Sequence, residues 1–108
     1  MLKQFFPRLT KYQVNKLVVD LLDIYGNRQA STEYKNKRLK KTYPNLIVWS
    51  IWGEDDSRYI KITFEYTNIE TGNLYRVIYY FDSMSIWYEI YIIEHDTNKS
   101  RLEEYKIL

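Results

Sequence analysis

Residues 58–95 read RYIKITFEYTNIETGNLYRVIYYFDSMSIWYEIYIIEH, and the phase of their apolar positions decides the fold. Three runs rich in β-branched and aromatic residues, 58–68, 74–82 and 85–95, are separated by Asn, Gly, Asp and Ser, which is the pattern of consecutive strands joined by turns. A turn centred on Thr71-Gly72 sets Phe64 opposite Tyr79 and Ile62 opposite Phe81, with Lys61 against Asp82 on the other side. A turn on Ser83-Met84 sets Phe81 opposite Ile86, Tyr79 opposite Tyr88 and Val77 opposite Ile90. Both joins keep the apolar residues on one face, and a one-residue slip in either would send them to the other.

The same phasing extends in both directions. Upstream, 45–52 is a further strand, and a Gly53 to Ser57 turn centred on Asp55-Asp56 places Ile51, Trp49 and Ile47 beside Ile60, Ile62 and Phe64. Downstream, Ser100 with Glu103 offers a cap for a short helix, but a turn at Thr97-Asn98 sets Arg101 opposite Glu94 and Lys106 opposite Glu89. That turn also puts Tyr105 opposite Ile90 and Ile107 opposite Tyr88, and such complementary pairs favour a fifth strand.

Before the strands lies one amphipathic helix. Thr10 and Gln13 form a capping box, with Leu9 and Val14 as its hydrophobic staple, so the helix starts at Lys11 and spans 11–25. Val14, Leu17, Val18, Leu21, Leu22 and Tyr25 then recur on one face, a core-facing stripe. Ser31 or Thr32 offers a start for a second, weak helix over 32–42, but Tyr34 and Leu39 are its only apolar anchors, so 27–43 reads as a basic connector ending at Pro44. The expected architecture is α+β, one domain over 1–108: a strap at 1–9, the helix, the connector, and a four- to five-stranded antiparallel meander over 45–108 whose one face the helix covers.

Composition narrows the chemistry. The 108 residues contain no cysteine and a single histidine, which excludes disulfides, thiolate metal sites and cysteine nucleophiles and leaves His95 alone for imidazole work. His95 sits between Glu94 and Asp96 at a turn and reads as a surface residue, while Glu54, Asp55 and Asp56 lack the ligand spacing of a calcium loop. No glycine-rich phosphate loop, nucleophile elbow or paired-carboxylate motif stands out, so neither enzyme activity nor a cofactor is expected. The N-terminus lacks a signal-peptide layout and no apolar run is long enough to span a bilayer, so a cytoplasmic protein without membrane contact is expected.

Charge is uneven: residues 1–43 carry a net +7 and 44–108 a net −5 within an overall +2. Lys35, Lys37, Arg38, Lys40 and Lys41 form the densest basic stretch, either a solvated connector or a surface for phosphate or acidic protein. Tyr, Ile, Lys and Asn together supply 41 residues, as an AT-rich coding sequence would give, so the many tyrosines are not by themselves a ligand signal.

Five strands at about 4.8 Å spacing make a sheet about 19 Å wide, against about 10–12 Å for a helix, so one helix covers one face only. The second face then displays Leu46, Val48 and Trp52, Tyr59, Lys61, Thr63 and Glu65, Arg76, Ile78 and Tyr80, and Trp87, Glu89, Tyr91 and Ile93. Three arrangements satisfy it: Leu2, Phe5 and Phe6 folding across it or the sheet curling toward a half-barrel, a homodimer, or a foreign partner. The partner-binding candidates are Trp52, Tyr59, Arg76, Tyr80, Trp87 and Tyr91, because aromatic and Arg side chains dominate interface energetics. The leading functional expectation is a small protein-binding adaptor or inhibitor of the size carried by phages and other mobile elements. The alternative is a nucleic-acid binder in which the 35–41 cations hold the backbone while Tyr59, Tyr80, Trp87 or Tyr91 stacks on bases.

Overall fold

The capping box at Thr10 is made from both sides. In the computed structural model the Thr10 N–H donates to Gln13 Oε1 at 2.8 Å and the Gln13 N–H to Thr10 Oγ1 at 3.2 Å, which starts α1, Lys11–Gly26. The structure describes residues 8–26, 31–52, 59–68, 70–82, 85–94 and 96–108, without the side chains of Tyr25, Gly26 and Trp52. The buried stripe of α1 is Val14, Leu17, Val18, Leu21 and Ile24. Leu22, expected in that stripe, lies about 100° from its centre and stays exposed, and Ile24 takes the inward position instead.

Residues 32–42 are not a connector but a second helix, α2, Thr32–Thr42. Ser31 caps it, its side chain accepting from the Tyr34 N–H at 3.1 Å, and the Tyr43 N–H closes the far end on the Leu39 carbonyl at 2.7 Å. Glu33 in the first turn and Lys40 and Lys41 in the last complement the helix dipole. Caps and charges therefore supply what the apolar pattern lacks, and the single buried residue, Leu39, joins the core. The Tyr43 hydroxyl donates to Asp20 at 2.8 Å and ties the end of α2 to α1.

The sheet runs in chain order, β1 (Leu46–Trp52), β2 (Tyr59–Thr67), β3 (Leu74–Phe81), β4 (Ile86–Ile93) and β5 (Ser100–Ile107), each antiparallel to the next. The β3–β4 register is as expected, with Phe81 opposite Ile86, Tyr79 opposite Tyr88 and Val77 opposite Ile90. The β2–β3 register differs by two residues: Ile62 faces Tyr79, and Phe64 faces Val77. Asn68 is the reason, because its Oδ1 accepts from the Glu70 and Thr71 N–H groups and its backbone pairs with Asn73, closing the loop earlier than a Thr71-Gly72 turn. Gly72, at φ 73°, provides the left-handed step that returns the chain to β3. A shift of two preserves the face, so the core assignment survives.

Two bulges do change faces. In β1, Leu46 pairs with Phe64 and Val48 with Thr63, so Ile47 is an extra residue. Leu46 thereby turns into the core and Ile47 outward, the reverse of the expectation. In β5, Tyr91 pairs with Leu102 but Ile90 with Glu104, which makes Glu103 the extra residue. Tyr105 and Ile107 consequently oppose Glu89 and Trp87 on the second face rather than Ile90 and Tyr88 in the core. Arg101 and Lys106 oppose Ile92 and Tyr88, not the glutamates expected of them.

The core lies between the helices and the first sheet face. It joins Leu17, Leu21 and Leu39 to Ile60, Ile62, Phe64, Val77, Tyr79, Ile86, Tyr88 and Ile90. Tyr79 is central: Phe64 and Tyr88 meet its ring edge-on at 5.9 and 5.7 Å, and its hydroxyl accepts the Leu9 N–H at 2.7 Å. Burial pushes the Tyr79 phenol up to about 12. The chain before α1 thus reaches the sheet on the helix side at Leu9, and Arg8 pairs with Glu104 there at 3.4 Å. Leu2, Phe5, Phe6, the Asp55-Asp56 turn and His95 lie outside the described residues.

Candidate protein-binding face

Alternation along β2, β3 and β4 sends every second residue away from the helices, and Tyr59, Tyr80 and Trp87 converge there because Tyr80 and Trp87 are directly paired across β3–β4. Tyr80 and Trp87 lie parallel, centroids 5.3 Å apart and planes 9° from each other. Tyr59 leans against both, at 5.5 and 6.2 Å. The three rings form a continuous platform, half-buried by one another and open outward.

Glu89 lies beside this platform. The Tyr91 hydroxyl donates to Glu89 Oε2 at 2.6 Å, and the Tyr80 hydroxyl also hydrogen-bonds to Glu89. Burial first, then the Glu89 carboxylate, holds the Tyr80 phenol well above the ordinary tyrosine range. Tyr59 is raised by burial and by the charges of Glu89 and Asp82, and Tyr91 chiefly by its hydrogen bond to Glu89. All three phenols therefore remain protonated, and those of Tyr80 and Tyr91 donate to Glu89. Further along the face, Arg76 Nη2 and Nε reach Glu65 Oε1 at 2.8 and 3.1 Å, so this expected contact residue is already paired across β2–β3.

Of the six residues expected to meet a partner, Tyr59, Tyr80, Trp87 and Tyr91 form one cluster, Arg76 sits in its ion pair, and Trp52 ends β1 opposite Tyr59. Three contributors were not expected: Leu102, Tyr105 and Ile107, which extend the face to the β5 edge and are at least half exposed. The Glu103 bulge turns Tyr105 and Ile107 to this face, and an extra residue in a strand leaves no mark on the apolar spacing around it, whereas Leu102, before the bulge, opposes Tyr91 by plain alternation.

The basic residues take a different place. At about 100° per residue, Tyr34, Lys37, Arg38 and Lys41 share the face of α2 opposite Leu39, all exposed, with Tyr34 among the cations. Lys35 is half-buried, and exposed Lys40 borders a cleft of about 360 Å³ with Leu39, Leu46, Ile47 and Val48. Because Leu39 packs into the core, α2 belongs to the helical layer, and the sheet separates its cations from Tyr80 and Trp87. A strand gripped by the cations does not reach the aromatic platform without passing round a sheet edge.

Among the described residues no three His, Cys, Asp or Glu side chains are grouped to hold a metal ion, and no helix is long and apolar enough to cross a membrane. Comparison with protein-family models, curated proteins and solved structures finds no match for the chain. The reading of the site accordingly rests on its own residues.

Proposed function

We propose that this chain is a small, non-catalytic protein-binding module, an adaptor or inhibitor whose partner docks on the outer sheet face. The observation that carries this reading is the Tyr59–Tyr80–Trp87 platform, continued by exposed Tyr105 and Ile107, on the side of the sheet away from both helices. Rigid aromatic rings bury much area at little entropic cost, and phenol donors beside Glu89 give such a surface polar contacts for orientation. The size and composition suit a phage or mobile-element protein acting in the cytoplasm.

Affinity capture with purified chain tests this. A partner retained by the intact chain and by the Lys37→Gln, Arg38→Gln, Lys40→Gln, Lys41→Gln variant, but lost with Trp87→Ala or Tyr91→Ala, supports the face. Retention by both aromatic variants refutes it.

One observation favours a second reading. The ordering of α2 groups Lys37, Arg38 and Lys41 around exposed Tyr34, a surface suited to phosphate with a stacking ring at hand. On that reading the nucleic-acid contact is α2 alone, with Lys35 and Lys40 at its margin. Micromolar binding to single- or double-stranded nucleic acid that weakens steeply with salt and disappears in the Gln variant supports it, and salt-independent or absent binding removes it.

A further inference from the structure

β5 is an outer strand of the sheet, and its exposed edge is complementary to itself. We propose that two copies of the chain pair through β5, antiparallel, about a two-fold axis at Tyr105. Three independent features of β5 agree on that axis.

The first is hydrogen-bond phase. The Leu108 N–H donates to the Ile86 carbonyl at 2.8 Å, so Ile86 and Leu108 form a hydrogen-bonded pair of the β4–β5 ladder. Hydrogen-bonded and non-bonded pairs alternate in an antiparallel ladder, which points the backbone groups of Lys106 toward β4 and those of Tyr105 and Ile107 away from it. An axis at Tyr105 lets the two Tyr105 residues exchange both of their outward bonds.

The second is side-chain face. Leu102, Tyr105 and Ile107 are 50, 55 and 63% exposed and all project on the platform side. Across the axis Tyr105 meets Tyr105, and because Glu103 is bulged, Ile107 comes beside Leu102 of the second copy. Tyr105 and Ile107 lie opposite Glu89 and Trp87 within each copy, so the two aromatic platforms become parts of one surface.

The third is charge. An axis at Tyr105 sets Glu104 opposite Lys106 of the second copy, twice. Moving the axis by one residue breaks the hydrogen-bond phase and sets Glu104 against Glu104 or Lys106 against Lys106, and moving it by two, to Ile107, keeps the phase but loses both Glu104–Lys106 pairs. Glu104, already accepting from Tyr88 and near Arg8, keeps its carboxylate below the usual range and stays charged to receive the lysine. Charged residues and a bulge ordinarily protect an edge strand from pairing. Here the charges are confined to one side and match in one register, which selects a single pairing.

Sedimentation equilibrium over a concentration series tests the pairing. The intact chain is expected to approach twice its 13.3 kDa mass, and Lys106→Glu to weaken association at least tenfold by setting carboxylates across the axis. Mixing the Lys106→Glu chain with a Glu104→Lys chain is expected to restore a mixed dimer, because both cross-axis pairs are then attractive. Position 105 gives a direct probe in a chain without cysteine. Residues in a hydrogen-bonded antiparallel pair have Cα atoms about 5.5 Å apart, within disulfide reach, so Tyr105→Cys chains are expected to cross-link under a mild oxidant while Lys99→Cys chains do not. A monomer at every concentration, or a dimer indifferent to Lys106→Glu that fails to cross-link through position 105, overturns the pairing. Neither result touches the docking face, which is judged by Trp87→Ala and Tyr91→Ala.

Discussion

Trp87→Ala distinguishes a docking surface from a second core. In the folded chain Trp87 stacks on Tyr80 at 5.3 Å and touches Tyr59 at 6.2 Å, with its outer side open. Aromatic pairs contribute about 0.5–1.5 kcal/mol each beyond area, and at a half-exposed site the lower end applies, so truncation is expected to cost about 1–2 kcal/mol. Leu17, which is fully buried between the helices and the sheet, is the internal standard, and Leu17→Ala is expected to cost about 2–5 kcal/mol. For a domain of this size about 1 kcal/mol moves the melting temperature about 4 °C, so the expected falls are about 4–8 °C for Trp87→Ala and about 8–20 °C for Leu17→Ala. Thermal melts followed by far-ultraviolet circular dichroism give both values, and a binding titration with the captured partner gives the other half of the comparison. There Trp87→Ala is expected to lose about 30-fold or more, because a central aromatic contact is worth about 2 kcal/mol or more at an interface. If Trp87→Ala melts as low as Leu17→Ala, the ring is packed as deeply as a core residue and the reasoning fails.

Three further outcomes follow from specific contacts. Ser31→Ala is expected to lower stability by about 1 kcal/mol through loss of the cap bond to Tyr34, seen in a chemical-denaturation midpoint, and an unchanged midpoint would show that α2 does not depend on its cap. Tyr43 and Tyr79 are both pushed up to about 12 in the folded chain from an ordinary value of 10, each mainly by burial and Tyr43 also by Asp20. Their folded values are raised, so the stability they contribute is complete below pH 10 and is lost as pH rises from 10 toward 12; denaturation midpoints across that range should fall, and less so in Tyr43→Phe. Replacing Lys37, Arg38, Lys40 and Lys41 together by Gln is expected to change stability by no more than about 1 kcal/mol, the sum of small helix-dipole terms at exposed positions, and a larger loss in thermal melts would assign these cations a packing role.

Legibility in the sequence followed the range of the interaction that set each feature. The Thr10–Gln13 box is a four-residue signal and delivers α1 where it is expected. The β3–β4 register follows from the shortest connection, closed by the Asp82 and Ser85 backbones, where few pairings are available to the chain. The β2–β3 loop is long enough for the Asn68 side chain to compete with the strand ladder, which moves the register by two without changing faces. The bulges at Ile47 and Glu103 each add one residue within a strand, and strict alternation, the only guide there, misplaces Leu46, Tyr105 and Ile107. α2 escaped because one buried leucine makes no periodicity, although the Ser31 cap and the Glu33-to-Lys41 charge gradient were both present. Of the candidate site, the platform residues were readable from alternation alone. Its extension through Tyr105 and Ile107 was not.

The strand order β1-β2-β3-β4-β5 has a consequence for how the chain folds. Every ladder joins neighbours in sequence, so the sheet assembles from hairpins whose loops close quickly, and low contact order of this kind accompanies fast folding. The separations of real length are those between α1 and the central strands, such as Leu17 to Tyr79, brought together by the shared core. On a ribosome α1 emerges well before the strands it covers, and its apolar stripe, met by Leu39 of α2 and then by β2 and β3, is not fully covered until β4 is out. Docking of α1 is therefore the late step, and the interval before it is when the nascent chain is most exposed to chaperones and to aggregation.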